Sequence, residues 1–324
     1  FVAAVPAVVG VYWGLGVLVA DYYYFDGQRK YYDFNQPNRA SLAFAQATEW
    51  RAHDFRYHHM LGLIKMQGRH PVEATRILSR VEELHPNNAP ALRLLGQGLY
   101  WSRREEEAIA ILGRAIVLDP LEVEPYSMLA RALHDRGLRR QGEGDGAGAR
   151  ASFMRAIDRW HQALAFAPEN VDFLRSLGIE YFSVGSIDDA EAALARAAQL
   201  SPEDGLIQGN LGAVFLAQGR LAEAETALVR ASATDSLRAE WRSNLASVYE
   251  KQGRSEEVEQ ALRQAVRLDP GNLRWHLRLV ELLRLEGRVI EALRAAEAAL
   301  QAQPQNERMA EMLRNLRRRL QKGE

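Results

Sequence analysis

The side chains best suited to chemistry gather near the start of the sequence, where His53, His58, His59 and His70 lie close together. Imidazoles at that density are a common route to a transition-metal site, but ligation needs side chains that converge. His58 takes an inward packing phase of a helix and His59 points to a different face, so no metal site is expected. A second signal is the run RRQGEGDGAGARAS at 139–152, with Gly142, Gly144, Gly146 and Gly148 at alternate positions. Glycine-rich loops cradle phosphate when a strand leads in and Gly-Lys-Ser/Thr leads out, and the sequence has neither. His-Glu-x-x-His, Gly-x-Ser-x-Gly and calcium-loop patterns are also missing. The lack of cysteine excludes disulfides, thiolate metal sites, iron–sulfur clusters and a cysteine nucleophile together. No catalytic residue, metal or cofactor is therefore expected, nor an enzyme activity.

Charge narrows the partners. With 41 Lys plus Arg against 42 Asp plus Glu, the chain lacks the basic excess that drives binding to nucleic acid. The many Glu/Arg pairs, such as those within 103–107 and 254–259, read as solvated helix faces.

The elements that position these residues follow from a 34-residue period, marked by Pro86, Pro120, Pro168, Pro202, Pro270 and Pro304. Seven units start near 55, 89, 123, 171, 205, 239 and 273. Leu and a small residue recur at unit positions seven and eight, as Leu61-Gly62, Leu95-Gly96, Leu177-Gly178 and Leu211-Gly212. Position 20 is Ala74, Ala108, Ala156, Ala190, Ala224, Val258 and Ala292, and position 27 is Ala in every unit but the first. Glycine inside a helix costs about 1 kcal/mol relative to Ala, so its return at one phase implies that two helices must approach closely there. Gly68, Gly185, Gly219, Gly253 and Gly287 mark the turn between the two helices of a unit.

These units resemble tetratricopeptide repeats over residues 55–306. The resemblance implies an all-α solenoid of about seven helix-turn-helix repeats with capping helices. Two departures weaken the fifth and sixth units: position four, where the family often has Trp, holds His58, Leu92, Tyr126, Leu174, Gln208, Arg242 and His276, and Ser236 replaces a proline. The third unit is longer by 14 residues, and its alternate glycines predict a mobile excursion over 139–152. Residues 307–324 read as a capping helix, with Met309, Met312, Leu313, Leu316 and Leu320 on one face and Arg314, Arg317, Arg318 and Arg319 on the other.

The resemblance also implies a concave, partner-binding surface lined by positions two, five, nine, twelve and thirteen of each first helix. In the first four units these include Arg56, His59, Arg93, Gln97, Tyr100, Trp101, Arg131, His134, Arg175 and Phe182, a lining suited to an acidic or aromatic protein segment. Position six holds Asn210 and Asn244, and the last unit carries Arg274 and Arg278. Asn244, Arg274 and Arg278 match three of the five positions of the family's carboxylate clamp, but Gly209 and Ala213 stand where Lys and Asn are expected.

Residues 1–20 carry no charge and, as a helix, would span about 30 Å, the thickness of a bilayer's hydrocarbon core. The sequence therefore predicts a single-pass membrane helix over 1–21, leaving the bilayer near Asp21 among Tyr22, Tyr23, Tyr24 and Phe25. Residues 22–54 are expected to form a stalk and a half-repeat, with 39–52 as a second helix. Ala3, Ala7, Gly10 and Gly14 share one face and form a small-residue seam for packing on another membrane helix. The expected protein is a scaffold for assembly of a membrane-associated complex, in a bacterial cytoplasmic membrane with the repeats in the periplasm. Its rivals are an accessory subunit of a respiratory, photosynthetic or cytochrome-maturation complex and the C-terminal part of a larger polytopic membrane glycan ligase.

Overall fold

A computed structural model describes residues 4–322 of the chain, with side chains from Gly14 to Gln321. All regular structure among the described residues is α-helical, and the chain divides into two compact bodies, residues 1–168 and 169–324. The first body holds α1 (Ala4–Tyr32), α2 (Pro37–Trp50), α3 (Phe55–Gln67), α4 (Pro71–Leu84), α5 (Ala89–Trp101), α6 (Glu105–Leu118), α7 (Glu124–Gly142) and α8 (Gly146–Phe166). The second holds α9 (Val171–Ser183), α10 (Ile187–Leu200), α11 (Gly205–Ala217), α12 (Leu221–Thr234), α13 (Ala239–Gln252), α14 (Ser255–Leu268), α15 (Leu273–Leu285), α16 (Val289–Ala302) and α17 (Glu307–Lys322). Consecutive helices pair as hairpins, odd-numbered helices leading and even-numbered ones returning.

One contact closes each hairpin. A Cβ added at Gly62, Gly96, Gly178 or Gly212 would lie 2.6, 2.6, 2.6 or 2.5 Å from the side chain of Leu78, Leu112, Leu194 or Leu228 on the returning helix. The four leucines are fully buried, so the missing Cβ is what lets the two backbones approach. The leading helices start on side-chain caps at the same period: Asp54, Asn88, Asn170, Asp204, Asn272 and Asn306 each accept a hydrogen bond from a backbone N–H of the first turn. Position four closes the same end. His58, Tyr126, Gln208 and His276 each donate to the carbonyl oxygen six residues upstream, at 2.9, 3.0, 2.9 and 3.0 Å. At α3, α7, α11 and α15 the polar residue at position four therefore stitches the leading helix to the loop before it.

Two sequence expectations are corrected. The helix that begins at Ala4 does not end near Asp21 but runs to Tyr32 and packs on α2, so 22–34 belong to a complete leading hairpin, not to a stalk. Gly27 receives Phe44 as the later glycines receive leucine, with a would-be Cβ 2.9 Å from its ring. The 139–152 segment is no loose excursion, because it lengthens both helices of its hairpin: α7 has 19 residues and α8 has 21, against 13 and 14 in α5 and α6. Gly142 ends α7, Gly144 makes the turn at φ +83°, Asp145 caps α8, and Gly137 against Phe153 repeats the closing contact two turns farther out. Gly68 lies in the α3–α4 turn as expected, but it does not take the left-handed conformation of the later turn glycines. That conformation falls on Arg69, and likewise on Arg103 one repeat later, at φ 59° and 62°, where the later repeats have glycine.

Among the described residues no helix is long and apolar enough to cross a membrane. Of the small-residue seam, Ala3, Ala7 and Gly10 lie outside the described side chains, and a Cβ at Gly14 would meet nothing within 4 Å. α17 covers the end of the second body with Met309, Leu313 and Leu316 buried, whereas Leu320 stays exposed.

A side chain held in the left-handed region costs about 1–2 kcal/mol, partly offset when glycine enlarges the unfolded ensemble. Arg69→Gly and Arg103→Gly are each expected to stabilise the chain by about 0.5–1 kcal/mol, measured by urea unfolding. Gly96→Leu, which drives atoms into Leu112, is expected to lower protection of α5 and α6 in hydrogen exchange before that of α15 and α16.

Candidate binding groove

The leading helices of the first body carry the predicted basic and aromatic lining, and the structure divides it into committed and free groups. Arg56 is held by Asp54 at 2.8 Å, reaches Asp21 at 3.5 Å and lies over the rings of Tyr24 and Tyr57. Arg93 is gripped by Glu122 and Glu124, both at 2.7 Å, across the step to the next repeat. Burial pushes the Glu122 carboxyl up, and the Arg93 guanidinium only partly offsets it. The Tyr100 hydroxyl donates to Asp135 at 2.9 Å, and burial with that bond pushes the phenol up to about 12. His134 packs its ring against Phe153 at 5.7 Å between centroids, with the planes tilted by 49°. The predicted positive groove is thus partly neutralised, Arg56 by the cap of its own helix and Arg93 by acids of the next repeat, a pairing that appears only when successive units are read side by side.

What remains free in this body is Gln97, half-buried, Trp101, 47% exposed, and Arg131, exposed and without an ion pair among the described residues. Arg131 stands close enough to the Tyr100 phenol to favour its ionised form. These three groups and the Tyr100–Asp135 pair make a surface that offers an aromatic face, an amide and a cation. Nearby, a cavity of about 230 Å³ opens among Tyr24, Phe55, Arg56, His59, Met60, Asn88 and Pro90.

In the second body Arg175 is paired with Asp172 on its own helix at 2.6 Å, and Phe182 is partly exposed. Asn210 and Asn244 occupy one position on the successive leading helices α11 and α13, half-buried, with neither amide bonded to another described group. The clamp reading fails on geometry. Arg278 is spent on α13, donating to the Ser243 carbonyl at 3.2 Å, to Ser243 and Ser247 Oγ at 3.0 and 3.1 Å and to Glu250 at 2.9 Å. Arg274 lies against Trp275, and a Cβ at Gly209 would sit 2.4 Å from the Trp241 ring, which leaves no room for the clamp's lysine. Sequence reasoning missed a groove of about 410 Å³ between α15 and α17, lined by Glu281, Arg284, Arg308, Glu311, Met312, Asn315, Leu316 and Arg319. Its signal was present in the capping helix, whose polar positions were read only as solvent-facing.

His59 supplies a pH handle on this surface. Burial, with the Arg93 charge, holds its imidazole below the usual histidine range, so the folded state keeps it neutral where the unfolded chain takes up a proton. Its contribution is complete above the unfolded pKa of about 6.5 and falls as pH drops from there toward the folded value. Wild type is therefore expected to lose more stability than His59→Gln between pH 7.5 and 5.5, measured by urea unfolding.

Comparison with known proteins fits this architecture. Residues 144–316, more than half of the chain, match the family model of the Cilia and flagella-associated protein 70 C-terminal domain. No curated protein sequence matches the chain. Among solved structures, the APC/C hetero-tetramer Cut9–Hcn1 is similar with a TM-score of 0.58 at 15% identity, over 86% of this chain and 52% of the other, so the chain spans about half the length of that relative. The pilF protein of Pseudomonas aeruginosa is similar with a TM-score of 0.53 at 20% identity, over 70% of this chain and 97% of the other. Both likenesses speak to fold alone, while the repeat marks, the hairpins and the family match agree: the chain belongs to the tetratricopeptide-repeat family described by the Cilia and flagella-associated protein 70 C-terminal domain.

Proposed function

We propose that the protein is a membrane-anchored scaffold whose leading helices hold an extended or helical segment of a partner protein and so help to assemble a membrane-associated complex. Tetratricopeptide proteins are protein–protein interaction scaffolds, and the reading adds the anchor and the groove. The observation that carries it is the pair Asn210 and Asn244, two half-buried amides at one position of adjacent leading helices with no partner among the described residues. Neither amide is among the fully buried unbonded groups, so both stay open to a partner, whose backbone supplies both donor and acceptor. On the first body, taken by itself, Trp101 and Arg131 offer a separate contact, an aromatic face and a cation, which favours an acidic or aromatic side chain. The charge-free segment 1–20 supports the anchor, in a bacterial cytoplasmic membrane with the repeats on the periplasmic side. No step of chemistry belongs to this role.

The test uses peptides selected from a random display library on the full chain, with affinities measured by fluorescence polarisation. Asn210→Ala with Asn244→Ala removes about two hydrogen bonds and is expected to weaken binding roughly 10- to 30-fold at unchanged helicity. Trp101→Ala with Arg131→Glu is expected to weaken acidic peptides more than neutral ones. Arg93 and Arg175 are poor test positions, because glutamate at 93 would face Glu122 and Glu124 and glutamate at 175 would face Asp172. Unchanged affinity in both double variants would move the binding surface off the leading helices.

A further inference from the structure

We infer that the edge of the first body formed by the loops from returning to leading helices lies against a lipid bilayer, so that the solenoid leans on the membrane instead of standing off it. The inference rests on the anchored reading above and follows from how α1 is built into the fold. The helix runs unbroken from Ala4 to Tyr32, with no stalk between the charge-free segment and the repeats. Ala20 is fully buried in a cluster with Ala47, near the end of α2, and Tyr57, near the start of α3. One residue on, Asp21 accepts a hydrogen bond from the Tyr57 hydroxyl at 2.6 Å. The α2–α3 loop is therefore level with Ala20 and Asp21, where the charge-free sequence ends.

Because the hairpins alternate in direction, the α4–α5 and α6–α7 loops and the end of α8 fall on this same edge of the body. The turns into α4 and α6 lie about 20 Å away and the turn into α8 about 30 Å away, at the far ends of the helices. The near edge presents Trp50, 55% exposed, Val117, 81% exposed, and Leu121, 75% exposed, with Phe166 partly exposed beside them. Apolar side chains such as Tyr32 and Val72 are exposed on the far edge too, so the direction in which α1 leaves, and not composition, decides which edge meets lipid. Trp and Leu at loop tips gain from burial in the headgroup zone, which a segment ending at Ala20 brings within reach.

The chain has no cysteine, so single labels are specific. The full chain with Trp50→Cys, Leu121→Cys, Arg69→Cys or Arg103→Cys, each carrying an environment-sensitive fluorophore, is reconstituted into phosphatidylcholine vesicles and probed with lipid-borne nitroxide and aqueous iodide. Nitroxide is expected to quench labels at 50 and 121 at least threefold more than those at 69 and 103, with the reverse order for iodide. If the chain floats with the vesicles but the four labels quench alike, the inference fails and the anchor stands. A chain that does not float defeats the anchor and the inference with it. Shielding of 50 and 121 that appears without lipid and grows with protein concentration would assign the edge to a second copy and overturn the inference.

Discussion

Each hairpin depends on a void the size of one methyl group. Where Gly62, Gly96, Gly178 and Gly212 face Leu78, Leu112, Leu194 and Leu228, a single added carbon would sit near 2.6 Å from its neighbour, well inside van der Waals contact. The approach it permits sets the spacing of the two helices and hence the burial of positions 20 and 27 of each repeat, which are alanine but for Val258 and Val81. The exceptions keep the shape and change the residue. Gly27 and Gly137 take phenylalanine in place of leucine, and α13 and α15 take Ala246 and Val280 at the glycine position, opposite Leu262 and Ala296. A small residue on one helix is matched with a larger one on the other, and the sum is roughly kept.

Charge ties each repeat to the next, chiefly along an edge of the second body. Arg220, Arg254 and Arg288 reach back to Glu191, Glu225 and Glu259 of the preceding repeat at 2.7, 2.9 and 2.5 Å, and each also pairs with a glutamate three residues ahead. Arg220 and Arg254 lie over Phe215 and Tyr249 as well, both at 4.4 Å. In the first body the buried Arg136 and its neighbour Arg139 make the corresponding link to Glu105 and Glu106. These pairs are partly solvated, so each adds little by itself. Their value lies in geometry, since a guanidinium fixed at several points sets the rotation between neighbours.

The period, the small-residue phases and the cap at the end were legible because close packing leaves a fixed imprint on residue size. The leading hairpin was not, because its closing pair is Gly27 and Phe44, one residue out of the common spacing, in a stretch whose tyrosines read as membrane-interface residues. The 139–152 run misled for a different reason. Glycine propensity argued against helix, yet Gly142, Gly144, Gly146 and Gly148 fall at an end, a turn and a first turn, where propensity counts least. The groove was half legible. Its arginines were identified one helix at a time, whereas the acids that neutralise Arg93 come from the next repeat and Arg56 is held by the cap of its own helix. Trp101, Arg131, Asn210 and Asn244 survive as uncommitted groups because no such neighbour reaches them.

The lengthened α7–α8 hairpin has a consequence for recognition. An array of like repeats is degenerate: a partner that reads only the common surface fits equally well one repeat up or one repeat down. Two extra turns on each helix raise this hairpin about 10 Å above the α5–α6 hairpin beside it on the turn side, a landmark that occurs once among the described residues. A partner that abuts it loses the freedom to slip, so the overhang converts a periodic surface into one with an origin, from which every other contact is counted.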